Sequence, residues 1–557
     1  MAKVLVLGGY GVFGGKLARR LAAEPGIEVL VAGRSLEKAQ AFCHAHGGAP
    51  VALDRDGDLS AALNEVQPDI VVDAAGPFQN YGGDPYRVAQ AAVAAGVHYV
   101  DLADDAAFVA GIGALDAAAK AAGVSVISGA SSVPAISGAA LDELTRGLTD
   151  IALVESIILP GNRAPRGLSV MQAIVGQVGK PLKVWRGGKW TSPLAWGDVK
   201  TVDLTVPETK PVPGRLASRI GAPDLLLFPA RYKARSVEFR AGLDLKLLHL
   251  GLWALGWLVR ARLLQSLHSL VPTMKWIADR LEFSGSDRGG MLVRAIGRRE
   301  GETVERNWTL IAEAGDGPEV PPTPAYLVCR RLIGEAVPAY GAYPCLGMLT
   351  LAEIEQDLSP FSIRFARNEV PAQPLLEQAV GPDAASMPGA WHRLADVHDQ
   401  DRFAGEASVE RGSSFLSRLA GALFRFPAAT ERTSVEVIKE KTRAGETWTR
   451  RFGESAFVSH LSRRASDGPG ILRERFGPLL FIMRLRVRDS RVEWPVERWR
   501  FLGLPMPAAL RPNSETSEFI DGEGRFNFDV AISVPLAGKI VRYRGWLEPS
   551  SDGSAEQ

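Results

Sequence analysis

The chain has 557 residues, enough at roughly 150 residues per domain for about three to four folded units with large cores. Hydrophobic residues make up 46% and charged residues 23%, with 58 Gly and 36 Pro, proportions that exclude bulk disorder and fibrous repeats. Lys+Arg 64 against Asp+Glu 63 gives a formal charge of +1, so no global field recruits nucleic acid or an anionic membrane, and three scattered cysteines, Cys43, Cys329 and Cys345, exclude a disulfide framework and a structural zinc site.

The apolar run at 4–7 stops at Gly8, too short for the core of a signal peptide, and the reading is a cytoplasmic protein. Up to about 133, short β-branched runs alternate with Ala-rich helical stretches. That alternation predicts a doubly wound parallel sheet, a Rossmann domain over 1–135. Strands are expected at 4–7, 28–32, 50–53, 70–73, 99–102 and 125–128, and helices at 16–23, 36–44, 85–95 and 110–122. From about 152 the strand-like segments lengthen, as at 182–196, and a helical pair falls at 243–281, so 136–367 reads as a second, α+β domain. Helices at 325–332 and 351–358 are expected to return to the first domain. Four prolines make 368–390 a linker. Beyond it, alternating segments at 433–439, 447–451, 480–488 and 526–534, with the turn Asp521-Gly522, predict a mostly antiparallel β module over 391–557.

The strongest chemical signal is Gly9-Tyr10-Gly11-Val12-Phe13-Gly14, directly after a strand and directly before an amphipathic helix. In that context Gly9 permits a tight turn, Gly11 lets backbone approach a pyrophosphate, and Gly14 lets helix and strand pack closely, with phosphates on the helix N-terminus. A Walker A loop is excluded because Gly15-Lys16 is followed by Leu17. A site for NAD would place Asp or Glu at the end of the second strand; here stands Arg34, with Ser35 and Lys38 close by. A guanidinium grips a 2′-phosphate bidentately, so the implied cofactor is NADP. Three more loops leave carboxyl ends of strands, where open α/β sheets bind ligands. One is Asp73-Ala74-Ala75-Gly76-Pro77-Phe78, in which Ala75, Gly76 and Pro77 would lie against a nicotinamide nucleotide. Another carries Tyr99, Asp101, Asp104 and Asp105, and the third is Ser131-Ser132-Val133-Pro134.

These residues, together with His98-Tyr99-Val100-Asp101, resemble the NADP-binding domain of the saccharopine dehydrogenase family. Gly285-Ser286-Asp287-Arg288-Gly289-Gly290-Met291 and Gly341-Ala342-Tyr343-Pro344-Cys345 resemble saccharopine dehydrogenase-like oxidoreductases, a branch that includes lipid-linked enoyl reductases. The resemblance covers about 2–363 and implies a Rossmann fold, NADP and hydride transfer. No set of substrate-binding arginines matches the lysine-pathway enzymes, so it does not imply their substrate. The C-terminal part, with Trp448-Thr449-Arg450-Arg451-Phe452-Gly453 and Tyr543-Arg544-Gly545-Trp546-Leu547, resembles a bacterial domain of unknown function fused to such enzymes.

Competing constellations fail on geometry. On a helix His44 and His46 point roughly 200° apart and cannot share a metal, and Gly129-Ala130-Ser131-Ser132-Val133 lacks the last glycine of a nucleophile elbow. Arg484, Arg486, Arg488 and Arg491 line a solvated sheet face without aromatic interleaving. The leading expectation is an NADP-dependent oxidoreductase acting on a small-molecule or lipid-like substrate, with Tyr99 as proton donor and Asp101 orienting it. Its rival is a non-catalytic NADP-binding or redox-sensing protein whose C-terminal module is an interaction surface. In 243–281, Lys246, His249, Gly256 and Arg260 form a narrow polar stripe opposite Leu248, Leu252, Leu255 and Trp257. This pattern reads first as a buried helix pair and second as a peripheral lipid-contacting surface, since it is shorter than a membrane span.

Overall fold

In the computed structural model the described residues are 1–550 without 166, 335–337, 443, 465 and 536, and without the side chains of Asn80 and Leu423; the expected domain end at 557 lies outside them. The first strand, β1 (Ala2–Leu7), buries Val4 through Leu7 on both faces, as a central parallel strand covered by helices requires. It is followed by α1 (Val12–Ala22), β2 (Ile27–Gly33), α2 (Leu36–His46), β3 (Ala49–Ala52), α3 (Leu59–Val66), β4 (Ile70–Asp73), α4 (Arg87–Ala94), β5 (His98–Asp101), α5 (Ala106–Gly111), α6 (Asp116–Ala122) and β6 (Ser125–Ser128). All register pairs are parallel, in the order β6-β5-β4-β1-β2-β3, and a later strand, Gly341–Pro344, joins in parallel beside β6. Separate apolar layers cover the two faces, which makes a doubly wound sheet whose strand order reverses between β1 and β4.

Helix α7 (Ser137–Leu144) leads into β7 (Thr149–Leu159), α8 (Leu168–Val175), the hairpin β8 (Val184–Arg186) with β9 (Lys189–Thr191), β10 (Val199–Leu204), β11 (Val212–Arg219), α9 (Asp224–Tyr232), β12 (Ser236–Leu243), α10 (Lys246–Arg260), α11 (Val271–Arg280), β13 (Gly289–Arg299), β14 (Glu302–Ala312), α12 (Thr323–Ile333), β15 (Gly341–Pro344), α13 (Leu351–Leu358) and β16 (Ile363–Pro371). A second sheet runs β10-β11-β12-β7-β13-β14-β16. The expected long strand at 182–196 is instead two short ones, because Gly187 and Gly188 both adopt positive φ and turn the chain. Helices α12 and α13 do return to the first domain: Arg20 donates to the Thr323 hydroxyl at 2.9 Å and lies 4.0 Å from the Tyr326 ring, both on α12, and pairs with Asp357 on α13, while Lys16 and Arg19 reach Glu319 just before α12 at 2.7 and 2.5 Å. Both late motifs prove structural. Ser286 donates to Asp244 from its N–H at 2.7 Å and its hydroxyl at 2.9 Å, while Asp244 also takes the Asn162 N–H and pairs with Arg215, which knots the ends of β7, β12 and β13. Gly341 to Pro344 is the edge strand of the first sheet.

The helix pair follows the expected stripe only in part: Lys246 and Arg260 are exposed and Leu252 and Leu255 half-buried, but two members of the stripe turn in and Trp257 turns out. His249 and Gly256 of the polar stripe face inward, His249 bonding the Ser218 hydroxyl at 2.9 Å with its ring 4.6 Å from that of Trp196. Burial holds the imidazole pKa down to about 4. Leu252, Leu255 and Val259 of α10 and Met274 of α11 are half-buried against a cluster of Val175, Val178, Trp196, Leu267 and Val271, whereas Leu247 (74% exposed), Leu250, Trp257, Trp276 (59%) and Ile277 face out, so the pair is buried along one side and apolar on its outer side as well.

The contact pattern divides the chain into two units, the second made of Arg186–Trp190, Ile296–Val304 and Pro371 onward. The stretch expected as a linker is folded here. It ends β16, and α14 (Leu375–Val380) and α15 (Gly389–Ala395) bury Leu375, Leu376, Val380, Met387 and Trp391 in the second unit's core, with Pro374 and Pro388 serving as helix N-caps rather than spacers. Then follow β17 (Gln400–Arg411), α16 (Phe415–Leu423), β18 (Thr430–Thr442), β19 (Gly445–Phe452), β20 (Ser455–Ser462), β21 (Ile471–Phe476), β22 (Leu479–Arg484), β23 (Arg486–Arg488), β24 (Arg491–Glu493), β25 (Val496–Phe501), β26 (Leu504–Pro505), β27 (Asn513–Ile520), β28 (Phe526–Val534) and β29 (Gly538–Pro549). Every pairing is antiparallel and the sheet closes on itself. β22 and β23 form one limb of a long hairpin and β24 and β25 the other. The first limb pairs with β21 and extends that ladder by Leu485 N–H to the Gly470 carbonyl at 2.6 Å; the second pairs with β27, extended by Trp494 N–H to the Thr516 carbonyl at 2.9 Å. With β17 also paired to β29, the result is an up-and-down barrel of ten strands.

One face of the second sheet carries a buried ion network. Glu155 takes both Lys200 contacts at 2.9 Å, lies 3.4 Å from Arg240 and pairs with Arg294. Burial alone would raise its pKa, but these three cations hold the carboxylate down to about 2. A depressed carboxylate stabilises the fold above its ordinary value of 4.5 and loses that contribution as pH falls through about 2. Glu155→Gln should therefore cost about 3 kcal/mol at pH 7, because Arg240 and Arg294 stay buried with a partner removed. Thermal melts from pH 7 to 2 check it: the deficit should shrink between pH 4.5 and 2, and a constant deficit would refute the network's role.

Candidate functional site

The site forms where β1 meets α1. Gly8 and Gly9 N–H both bond the Ala32 carbonyl, at 2.8 and 3.1 Å, and Gly11 N–H closes on the Gly8 carbonyl at 2.9 Å. Those bonds fix the turn to β2. Gly11, in extended conformation, is the N-cap of α1 and supplies no side-chain cap. The N–H groups of Val12, Phe13 and Gly14 belong to the first turn, which has no intrahelical acceptor for them, so a helix N-terminus of positive partial charge points out of the sheet. Gly14 is required because a Cβ there would overlap the Gly8 carbonyl oxygen and meet Ala74 Cβ at 3.1 Å. The cradle fits a pyrophosphate: it is uncapped, and backbone lies where a side chain would otherwise stand.

Tyr10 turns sideways over the end of β2. Its hydroxyl accepts the Ser35 N–H at 3.1 Å, and its ring lies so close to Gly33 that a Cβ there would be 2.5 Å from Cε1. Ser35 caps α2, accepting the Lys38 N–H at 3.3 Å. Arg34 on this loop and Lys38 in the first turn of α2 are exposed, and among the described residues neither side chain has a hydrogen-bond or ion-pair partner. Two unneutralised cations thus stand beside the glycine turn.

The loop after β4 is braced by residues that sequence reasoning passed over. Asp73, fully buried, accepts the Ala75 N–H at 3.0 Å and the Tyr81 hydroxyl at 2.6 Å. Arg55 donates to the Ala75 carbonyl at 2.8 Å and stacks on the Tyr81 ring at 4.1 Å. Burial raises the Asp73 pKa against these bonds. The loop Ala75-Gly76-Pro77, with a cis Gly76-Pro77 peptide, is thereby held at the carboxyl edge. Asp73 stood in the quoted loop, but Arg55, between Asp54 and Asp56, looked like an ordinary charged turn.

Tyr99 and Asp101 do not face the open edge. Tyr99 is 1% exposed in the apolar layer with Val71 and Val126, and Asp101 is 0% exposed. One Asp101 oxygen accepts three bonds, from Gly129 N–H at 2.7 Å, Ala103 N–H at 3.0 Å and the Ser128 hydroxyl at 3.0 Å. Burial pushes its pKa up to about 7, and burial followed by the nearby carboxylates of Asp101 and Asp73 raises that of Tyr99. Side chains two apart on β5 share a face, and Tyr99 and Asp101, expected near the reacting carbon, are both buried on it rather than exposed at the carboxyl edge. Asp101 instead ties the β5 and β6 loops together. Asp104 bonds Gln79, Asp105 caps α5, and Ser131 and Ser132 are buried.

A glycine-lined helix N-terminus at the switch point of a doubly wound sheet, with cations at the end of β2, defines a dinucleotide-binding domain. Residues 4–127 match the model of the saccharopine dehydrogenase NADP-binding domain, so the cofactor class is NADP. Residues 390–547 match a domain of unknown function, DUF4166. Among solved structures the chain is similar to apo histidine-tagged saccharopine dehydrogenase (L-Glu forming) from Saccharomyces cerevisiae, at 17% identity and TM-score 0.47 over 66% of this chain and 100% of that one. It is also similar to biliverdin reductase from Synechocystis sp. PCC 6803, in complex with biliverdin and NADP+, at 12% identity and TM-score 0.30 over 64% and 96%. No curated protein matches the chain.

The Gly14 contact predicts a sharp contrast. Gly14→Ala should weaken NADPH binding at least tenfold and lower Tm, since backbone cannot retreat without moving β1. Gly251→Ala, on α10 with nothing within 4 Å of the added Cβ, should be neutral or stabilising. Nicotinamide fluorescence titration and thermal melts of the two variants check it.

Proposed function

We propose that the first unit is an NADP-dependent oxidoreductase acting on a small-molecule substrate, carried above all by the uncapped glycine turn lying beside the unpartnered Arg34. In this reading Gly9, Gly11 and Gly14 admit the pyrophosphate, and the N–H groups of Val12 and Phe13 bond it. Arg34, Ser35 and Lys38 hold the 2′-phosphate, and Tyr10 walls the adenosine side. Ala75, Gly76 and Pro77 line the nicotinamide end, kept rigid by Asp73, Tyr81 and Arg55. NADP, when bound, supplies the hydride acceptor or donor. Tyr99 and Asp101 are positioning residues: Asp101 fixes the Gly129 turn by three bonds, and Tyr99 supports the carboxylates from below.

The outward Trp257 and Trp276, each with an arginine 5.1 Å from its ring, favour a lipid-like substrate met at a membrane surface by α10 and α11. Among the described residues no helix is long and apolar enough to cross a membrane. The burial of Tyr99 and Asp101 favours a second reading, an NADP-binding redox sensor without turnover. Oxidation of NADPH at 340 nm, followed against polar and lipid fractions of a bacterial extract, separates the two: turnover supports the enzyme, and its absence in every fraction supports the sensor.

Two outcomes are expected from variants. The wild type should prefer NADPH to NADH by at least tenfold, about 1.4 kcal/mol, and Arg34→Asp should erase that preference; equal wild-type affinities would overturn the 2′-phosphate assignment. Trp257→Arg should fold with unchanged Tm, because the ring is outward, yet reduce co-flotation of the protein with liposomes containing anionic lipid. Unchanged flotation would remove the lipid surface from the proposal.

A further inference from the structure

The C-terminal barrel encloses a cavity in which about 160 Å³ is open to the centre of a water-sized sphere, some tenfold more than one water needs. Its wall is largely apolar, with Phe426, Val437, Trp448, Phe452, Phe528 and Ile532 among the inward residues. Barrels of this size either fill their interior with side chains or hold a small ligand, and this one is not filled. We propose that the barrel is a binding site for an apolar small molecule that carries a neutral hydrogen-bonding terminus, such as a hydroxyl.

The polar groups of the wall specify that terminus. Arg450 bonds the Ser459 hydroxyl at 2.7 Å and Glu474 at 3.3 Å, and Lys439 donates a hydrogen bond to the Leu394 carbonyl at 2.9 Å and sits 3.8 Å over the Trp448 ring. These two cations face three carboxyl groups, Glu446, Glu474 and Glu518, so a fatty-acid carboxylate would add an anion to a set already rich in acid. Trp494 Nε1 is buried in the same wall and has no hydrogen-bond partner among the described residues, while Glu518, also in the wall, already has the Trp391 side chain as its hydrogen-bonding neighbour. A hydroxyl can accept from the Trp494 N–H, and buried polar groups are left unpaired only rarely. Burial raises the Glu518 carboxyl, which agrees with a neutral site.

Strand directions place an apolar rim at the end that carries α16. Ala420 and Phe424 line the cavity from that helix, while Phe415 (72% exposed) and Leu419 on the helix, and Leu502 and Leu504 (68%) beyond the end of β25, leave apolar side chains uncovered at the same end. An apolar rim above an apolar interior suits a ligand that arrives from a lipid phase.

The full-length protein titrated with N-phenyl-1-naphthylamine should give saturable fluorescence for one site per chain. 1-Dodecanol should displace the probe at a concentration at least tenfold below that of dodecanoate. Val437→Trp, which fills the cavity, should abolish probe binding with far-UV circular dichroism unchanged, and Val530→Phe, a smaller filler, should weaken it, so that loss of binding is separable from loss of fold. Trp494→Phe should retain the probe but reduce the advantage of dodecanol at least fivefold. Absence of saturable binding, binding unaltered in both filled variants, or dodecanoate as effective as dodecanol would overturn the proposal.

Discussion

The first unit depends on how closely α1 can approach β1. Gly14 sits against the Gly8 carbonyl with no room for one more carbon, and the two β1–α1 turn amides, Gly8 and Gly9, both bond Ala32. Helix, first strand and second strand are therefore fixed as one piece, and the residue that follows β2 is brought beside the helix N-terminus without any contact of its own. Arg34 needs no partner to be in place. Its charge stands where it does because Tyr10 and Ser35, on either side of Gly33, bind the loop beneath it. A substitution in the packing of this corner thus acts on charge recognition through geometry, and a substitution of Arg34 acts on recognition alone.

Buried acids carry out a second task at the same edge. Asp73 and Asp101 lie opposite each other in the β4–β5 register, and each folds back to hold the N–H of the residue two places on, Ala75 and Ala103. Desolvation opposes the ionised form, and the bonds oppose desolvation. The raised pKa of both shows that burial wins in part. A carboxyl that is costly to ionise is a poor general base but a good brace, since it is held by several donors at once and shielded from exchange with water. The second sheet resolves the same conflict the other way, because at Glu155 three cations outweigh burial.

The parallel sheet was legible because its signals are local. Continuous apolar runs at Val4 to Leu7 and Ile70 to Val72, and a glycine turn between strand and helix, leave one reading. The expected strands at 70–73 and 125–128 match the observed ones, and the others shift by a residue or two at their ends. What was not legible depends on faces. Nothing in Tyr99 or Asp101 as letters tells that β5 is covered there, nor that Asp101 accepts three bonds from the loops beside it. The stripe of Lys246, His249, Gly256 and Arg260 was legible as a stripe, but not its direction, which is set by Ser218 and Trp196 from distant segments. The prolines at 374, 382 and 388 mark helix starts as readily as linkers, and only the burial of Leu375 and Trp391 distinguishes the two.

The barrel illustrates how far alternation can mislead about content. A period of two separates inward from outward residues, and in β19 it places Glu446, Trp448, Arg450 and Phe452 on one side. Read outward, such a mixed row is a solvated face; read inward, it is a lined chamber. Closure decides between them, and closure rests on a single hairpin whose two limbs each pair with a second neighbour at opposite ends. With the hairpin in place the row points inward, the charges must neutralise one another across the interior, and the interior cannot collapse because the strand number fixes its width. A chamber that is held open by topology, apolar over most of its wall and left, among the described residues, with the Trp494 N–H unpaired, has the form of a complement to a molecule rather than of an imperfect core.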